Sequence, residues 1–121
     1  MVRADEFEVR AALRWARIAP RKVRVVAGLI QGRPVPEALA ILAFSKKRGA
    51  RILRKLLESA VANAQQANLA SEDALVVSRV LVDKGPVLRR WRARARGRAT
   101  RINKFTSHVQ LFVADAARWA R

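Results

Sequence analysis

The chain contains no cysteine. Disulfides and thiolate metal sites are therefore excluded. It has one histidine, His108. A general base needs a partner to orient it and a second group to act on, so a lone histidine at a strand position is expected to be structural or a hydrogen-bond donor. Acidic residues are scarce, with 9 Asp and Glu against 26 Lys and Arg, and they are scattered. Glu72 and Asp73 are adjacent, but they fall in a predicted loop with no histidine or third carboxylate nearby in sequence. No glycine-rich phosphate loop occurs. No apolar run approaches the length of a membrane span. The N-terminal segment carries Asp5, Glu6 and Glu8 and lacks the apolar core of a secretion signal. These absences predict a cytosolic protein that is not an enzyme, with no metal and no cofactor.

What is present is positive charge, a net +17 over 121 residues. A field of that sign says little about fold and much about partners. It favours nucleic acid over a small anion, because a small substrate needs only a local patch. The charge is densest in 84–104, KGPVLRRWRARARGRATRINK, which holds Lys84, Arg89, Arg90, Arg92, Arg94, Arg96, Arg98, Arg101 and Lys104 and no carboxylate. From Arg90 to Arg98 every second residue is Arg, a spacing that lines one face of a strand. Apolar runs rich in β-branched residues flank the stretch at 75–82 and 109–113 and read as strands. Together these predict a long hairpin leaving the body, with Gly97 suited to a turn. A free two-stranded hairpin is marginal in water, so a polyanion is expected to order it. The same arginine run also fits a disordered basic segment that binds acid loosely.

Along the chain, residues 7–13 alternate, with Phe7, Val9, Ala11 and Leu13 on one side, and predict a half-buried strand. Trp15 and Arg17 continue that strand or begin a loop. Pro20 is suited to the first position of a helix over 20–31. Val23, Val26, Ala27 and Ile30 form its apolar stripe, and Gly32 is its expected C-cap. Arg21, Lys22 and Arg24 cluster in its first turn. Cations there oppose the helix dipole, which points to an external anion. A helix over 36–44 presents Ala38, Leu39, Leu42 and Ala43. Ser45 is the expected N-cap of a longer helix over 46–67. Its stripe is Leu53, Leu56, Leu57, Ala60, Val61 and Ala64, and its first half carries Lys46, Lys47, Arg48, Arg51, Arg54 and Lys55. That basic half also fits an ordinary solvated face. Strands at 75–82 and 106–113 complete an α+β fold, in which a small three-stranded antiparallel sheet packs on three helices and a long β-hairpin protrudes. One domain over 1–121 is expected, with the hairpin at about 82–106.

Several segments together resemble the ribosomal protein twenty-two family of the bacterial large subunit. They are PRKVRVVA at 20–27 with Gly32, EAL at 37–39 with Ile41 and Leu42, KK at 46–47, and KLLESAVANA at 55–64. VDKGP at 82–86, RARGRA at 94–99 and TSH at 106–108 follow in order. The resemblance spans 7–113. It implies a small α/β domain on the outside of the large subunit near the tunnel exit, with a hairpin that reaches inward through 23S rRNA. The arms would be about 82–92 and 99–106. The tip, Arg94, Ala95, Arg96, Gly97 and Arg98, would line the tunnel and meet the nascent polypeptide. The chain departs from the family at Ala93, where members often carry proline. Neighbouring large-subunit proteins are the other implied partners. No membrane and no second copy of the chain is expected.

The leading reading is a structural rRNA-binding protein that neutralises phosphate between packed RNA helices. Its contacts should go mostly to phosphate and sugar. Arginine suits this work, since its planar fork binds phosphate in a bidentate way and stacks on bases. Trp91 either stacks on an unpaired base or packs at the hairpin base. An architectural DNA-binding protein with arms in the minor groove explains charge and hairpin equally well, but such arms carry an apolar wedge at the tip, where this one has Arg and Gly. A surface-active cationic protein is disfavoured, since no helix sets a long apolar face against a fully basic one.

Overall fold

The last strand in the sequence is the middle strand of the sheet. The computed structural model describes residues 8–93 and 99–119, and for 88–93, 99–103, 118 and 119 the backbone alone. β5 (Ser107–Asp115) alternates cleanly: Ser107, Val109, Leu111 and Val113 are buried, while His108, Gln110 and Phe112 are half-buried on the other face. It pairs antiparallel with β1 (Glu8–Ala16) on one side and β2 (Leu75–Lys84) on the other, giving the order β1-β5-β2. Both edge strands break register once, between Leu13 and Ala16 in β1 and between Val77 and Arg79 in β2. Such bulges twist an edge strand and re-aim its side chains.

Three helices cover one face. α1 (Pro20–Ile30) and α2 (Val35–Phe44) lie against β2, and α3 (Arg48–Gln66) lies across β1 and β5. The predicted stripes of α1 and α3 are all buried. Ala60 and Ala64 let α3 approach the sheet closely, near enough for the Asn63 side-chain amide to donate to the Arg10 carbonyl at 3.2 Å. Gly32 follows α1 at φ 83°, a left-handed conformation that favours glycine. Its N–H donates to the Val77 carbonyl (2.7 Å), and the Val77 N–H donates to the Arg33 carbonyl (2.9 Å), so the end of α1 is pinned at the β2 bulge.

Several expectations need correction. Ser45 does not cap the third helix. Its extended backbone ends α2, its Oγ accepts the Lys47 N–H at 3.3 Å in a local turn, and Lys47 is the N-cap, without a side-chain bond. Lys46 and Lys47 therefore precede α3 rather than lie in it. In α2 the buried positions are Val35, Ala38 and Leu42; Ala43 is exposed because that 3–4 spacing turns it outward. Leu13 is 37% exposed, at the start of the β1 bulge. The strands also run two or three residues beyond their expected ends.

The hairpin is present and antiparallel. β3 (Leu88–Ala93) and β4 (Ala99–Lys104) form their own two-stranded sheet, in register from Leu88 opposite Lys104 to Ala93 opposite Ala99. Gly85 marks its root. The Gly85 N–H donates to the Thr106 carbonyl at 2.9 Å, and the Thr106 hydroxyl donates to the Pro86 carbonyl. A Cβ added to Gly85 would come within 2.5 Å of Thr106 Oγ1 and 3.3 Å of His108 Nε2, so the strands can approach this closely only without a side chain. A 3₁₀ turn (Glu72–Ala74) precedes β2, and a single helical turn, α4 (Ala116–Trp119), follows β5.

Candidate nucleic-acid interface

Helix N-termini attract anions, because their first N–H groups lack partners and the dipole is positive there. Neither α1 nor α3 has an acidic residue in its first turn. Arg21, Lys22, Arg24 and Arg48 are exposed there instead. The fold sets the two ends side by side: Gly49 is buried where α3 meets the α1 backbone at Lys22 and Val23.

Around Lys22 three open concavities adjoin. The first, about 500 Å³, is lined by Arg17, Ile18, Ala19, Lys22, Arg48, Lys104 and Phe105. The second runs between the helices past Val25, Lys47 and Gly49. The third passes Pro20, Arg21 and Arg24 to Lys84 and Phe105 at the hairpin root. Among the described residues eight cations line this groove (Arg17, Arg21, Lys22, Arg24, Lys47, Arg48, Lys84 and Lys104), and no carboxylate does. One hydrogen bond shapes the floor. The buried Ser107 hydroxyl donates to the Ile18 carbonyl at 2.6 Å and fixes the turn from β1 into α1.

The predicted site residues divide accordingly. Arg21, Lys22, Arg24, Lys47, Arg48, Lys84 and Lys104 come together. Arg24 also acts inside the protein, donating from its guanidinium to the Val82 carbonyl at 2.8 Å. Arg51, Arg54 and Lys55 are exposed further along α3, outside the groove, and Arg54 lies 3.4 Å from Glu58 in an exposed pair of little energetic weight. Lys46 is exposed before α3 and does not line the groove. Arg89, Arg90, Arg92 and Arg101 lie in β3 and β4, but their side chains, like that of Trp91, fall outside the described residues. So does the whole tip, Arg94, Ala95, Arg96, Gly97 and Arg98. Sequence reasoning missed Arg17, Ile18 and Phe105 as groove residues. The available signal was the run of Arg14, Arg17 and Arg21 leading into α1. His108 is structural: its Nδ1 accepts the Trp15 N–H at 3.2 Å, and its ring meets the indole edge-on. Among the described residues, no group of three His, Cys, Asp or Glu is placed to hold a metal ion, and no helix is long and apolar enough to cross a membrane.

Fold and groove define a class: small, strongly basic α+β proteins whose open groove, lined by no carboxylate among the described residues, suits an extended anion rather than an enclosed substrate. Residues 11–114 match the family described as ribosomal protein L22p/L17e, and the chain belongs to that family. It is 55% identical over 108 residues to the large ribosomal subunit protein uL22 of Sorangium cellulosum, covering 88% of this chain and 96% of that one. It is 49% identical over 109 residues to the protein of the same name in Geobacter metallireducens, covering 90% and 99%. For Gluconacetobacter diazotrophicus the figures are 50% over 112 residues, covering 93% and 84%. The family is a structural one of the large ribosomal subunit, which is cytoplasmic in bacteria, and is not a family of enzymes. The resemblance read from the motifs is thereby borne out.

Proposed function

We propose that the whole chain acts as one domain that binds 23S rRNA, holds rRNA segments together during subunit assembly, and presents its hairpin tip to the tunnel and the nascent peptide. The observation that carries the binding reading is the groove around Lys22, where two helix N-termini and the hairpin root converge with eight cations and no acid among the described residues. Packed RNA strands repel, and cations placed between them relieve that repulsion while releasing condensed counterions. Arginine grips phosphate through its fork, and lysine acts as a point charge. The outer cations, Lys46, Arg51, Arg54 and Lys55, with Arg89, Arg90, Arg92 and Arg101 of the arm, extend the same surface in this reading. Neighbouring large-subunit proteins are the remaining proposed partners.

Affinity for 23S rRNA measured against salt tests the proposal. The variant Arg21→Ala/Lys22→Ala should lower the slope of log K against log salt by about 0.7–0.9 for each phosphate that is no longer neutralised. An unchanged slope would show that the first turn of α1 faces solvent in the complex. The tip reading rests on RARGRA at 94–99. Ribosomes lacking residues 94–96 should assemble and yet differ from wild type in nascent-peptide pausing and in response to tunnel-binding antibiotics. Wild-type behaviour across several peptides and drugs would overturn it.

A further inference from the structure

Trp15 is a large apolar side chain held where folding does not need it. The residue is 61% exposed, and its backbone adopts φ 65°. That region is unusual for any residue but glycine and uncommon for a bulky one. An observed outlier of this kind is a reason to ask what the position does. The β1 bulge between Leu13 and Ala16 creates the conformation, and His108 holds it. The Trp15 N–H donates to His108 Nδ1 (3.2 Å), and the two rings meet edge-to-face, with centroids 5.0 Å apart at 87°. Even with this support the residue stays largely exposed. Trp15 stands two residues before Arg17, and His108 three residues after Phe105, both of which line the cationic groove. Arg14 beside it is exposed.

We propose that Trp15 is a stacking platform for one unpaired RNA base at the edge of the cationic groove, with His108 as its positioning residue. The inference rests on the RNA-binding reading and adds a specific ligand to it. Base–aromatic stacking accepts any base, because each has a π face. The ladder places Asp83 opposite His108, which would repel a phosphate but not a neutral base. The flanking arginines would take the phosphates on either side.

The test uses the full chain with Trp91→Phe and Trp119→Phe, so that Trp15 is the sole indole. Its fluorescence is titrated with 23S rRNA and, separately, with an abasic deoxyribose-phosphate oligomer. Quenching is expected with the first and none with the second. Trp15→Asn keeps the backbone N–H and tolerates the left-handed conformation, so its Tm should hold. At matched salt it should bind 23S rRNA roughly 5- to 150-fold more weakly with an unchanged salt slope, and Trp15→Phe should restore most of the affinity. Equal affinity of Trp15→Asn and wild type overturns the stacking alone. So does quenching that appears only when other large-subunit proteins are added, which would assign the indole to a protein neighbour. Failure of every form, wild type included, to bind 23S rRNA overturns the RNA-binding reading and the stacking with it.

Discussion

Arg24 and Lys22 are two residues apart in one basic cluster, yet they do different things. Lys22 is exposed and borders all three concavities. Arg24 also reaches across to the Val82 carbonyl at 2.8 Å and ties α1 to the end of β2. A single hydrogen bond from a charged donor to a partly buried carbonyl is worth about 1–3 kcal/mol. Arg24→Ala is therefore expected to lower Tm by several degrees. Lys22→Ala should leave Tm within about a degree or two, as a surface change does, and weaken RNA binding instead. Thermal melts of the two variants check this; equal melting would mean that the Arg24 bond contributes nothing. Ser107 is a similar case in the interior. Removing its hydroxyl in Ser107→Ala leaves the Ile18 carbonyl without that donor, at a cost of about 1–3 kcal/mol, seen as an earlier melt.

At the scale of elements, the hairpin and the body are built on different terms. β1, β5 and β2 bury their inner face under three helices. β3 and β4 pair with each other and with no strand of that sheet. Removing residues 90–102 and joining Arg89 to Asn103, which face each other in the ladder, through an Asn-Gly turn should keep the root intact. None of the described core residues is removed, so the Tm of the shortened chain is expected to stay within a few degrees of wild type. A fall of more than about 10 °C would mean that the arm packs into the body, since each kcal/mol moves Tm by only a few degrees at this size. The root itself is sensitive. Gly85→Val forces a side chain against Thr106 and His108, and overpacking of this kind costs about 1–3 kcal/mol. A melt of Gly85→Val that matches wild type would show that the root can open.

Over the whole molecule, the placement of charge should matter more than its amount. Lys22→Ala/Arg48→Ala/Lys104→Ala and Arg51→Ala/Arg54→Ala/Lys55→Ala each take the net charge from +17 to +14, that is 17 − 3. The first set removes three of the groove's cations, and the second strips the outer part of α3. If binding were a matter of net field alone, the two would weaken 23S rRNA binding equally. The groove set is expected to reduce affinity more and to flatten the salt slope by about two units or more, because fewer phosphates are neutralised and fewer counterions released. Equal reductions in a binding titration would mean that the groove is not the RNA-binding surface.

Local patterns were enough to determine the helices, the strands and the class of fold. A period of two in 107–115 and a stripe at 53, 56, 57, 60, 61 and 64 follow from backbone geometry alone, and each is legible without knowing its neighbours. Charge composition likewise pointed to a polyanion, and ordered motifs to the family. The site depended on more than that. The groove joins Arg17 to Arg24, Lys47 to Gly49, Lys84, Lys104 and Phe105, and only packing α1 against α3 beside the hairpin root makes them neighbours. Ser45 has the chemistry of an N-cap but not the place, because the backbone turns once more before α3 begins. Arg24 reads as a surface cation until the carbonyl it holds, 58 residues away, is brought beside it. Trp15 reads as the end of a strand until the bulge and His108 turn it outward. Residue type and spacing act over a few residues and so are written in the sequence. Proximity between distant segments exists only once the chain has folded, and the groove and the Trp15 platform are made of such proximities.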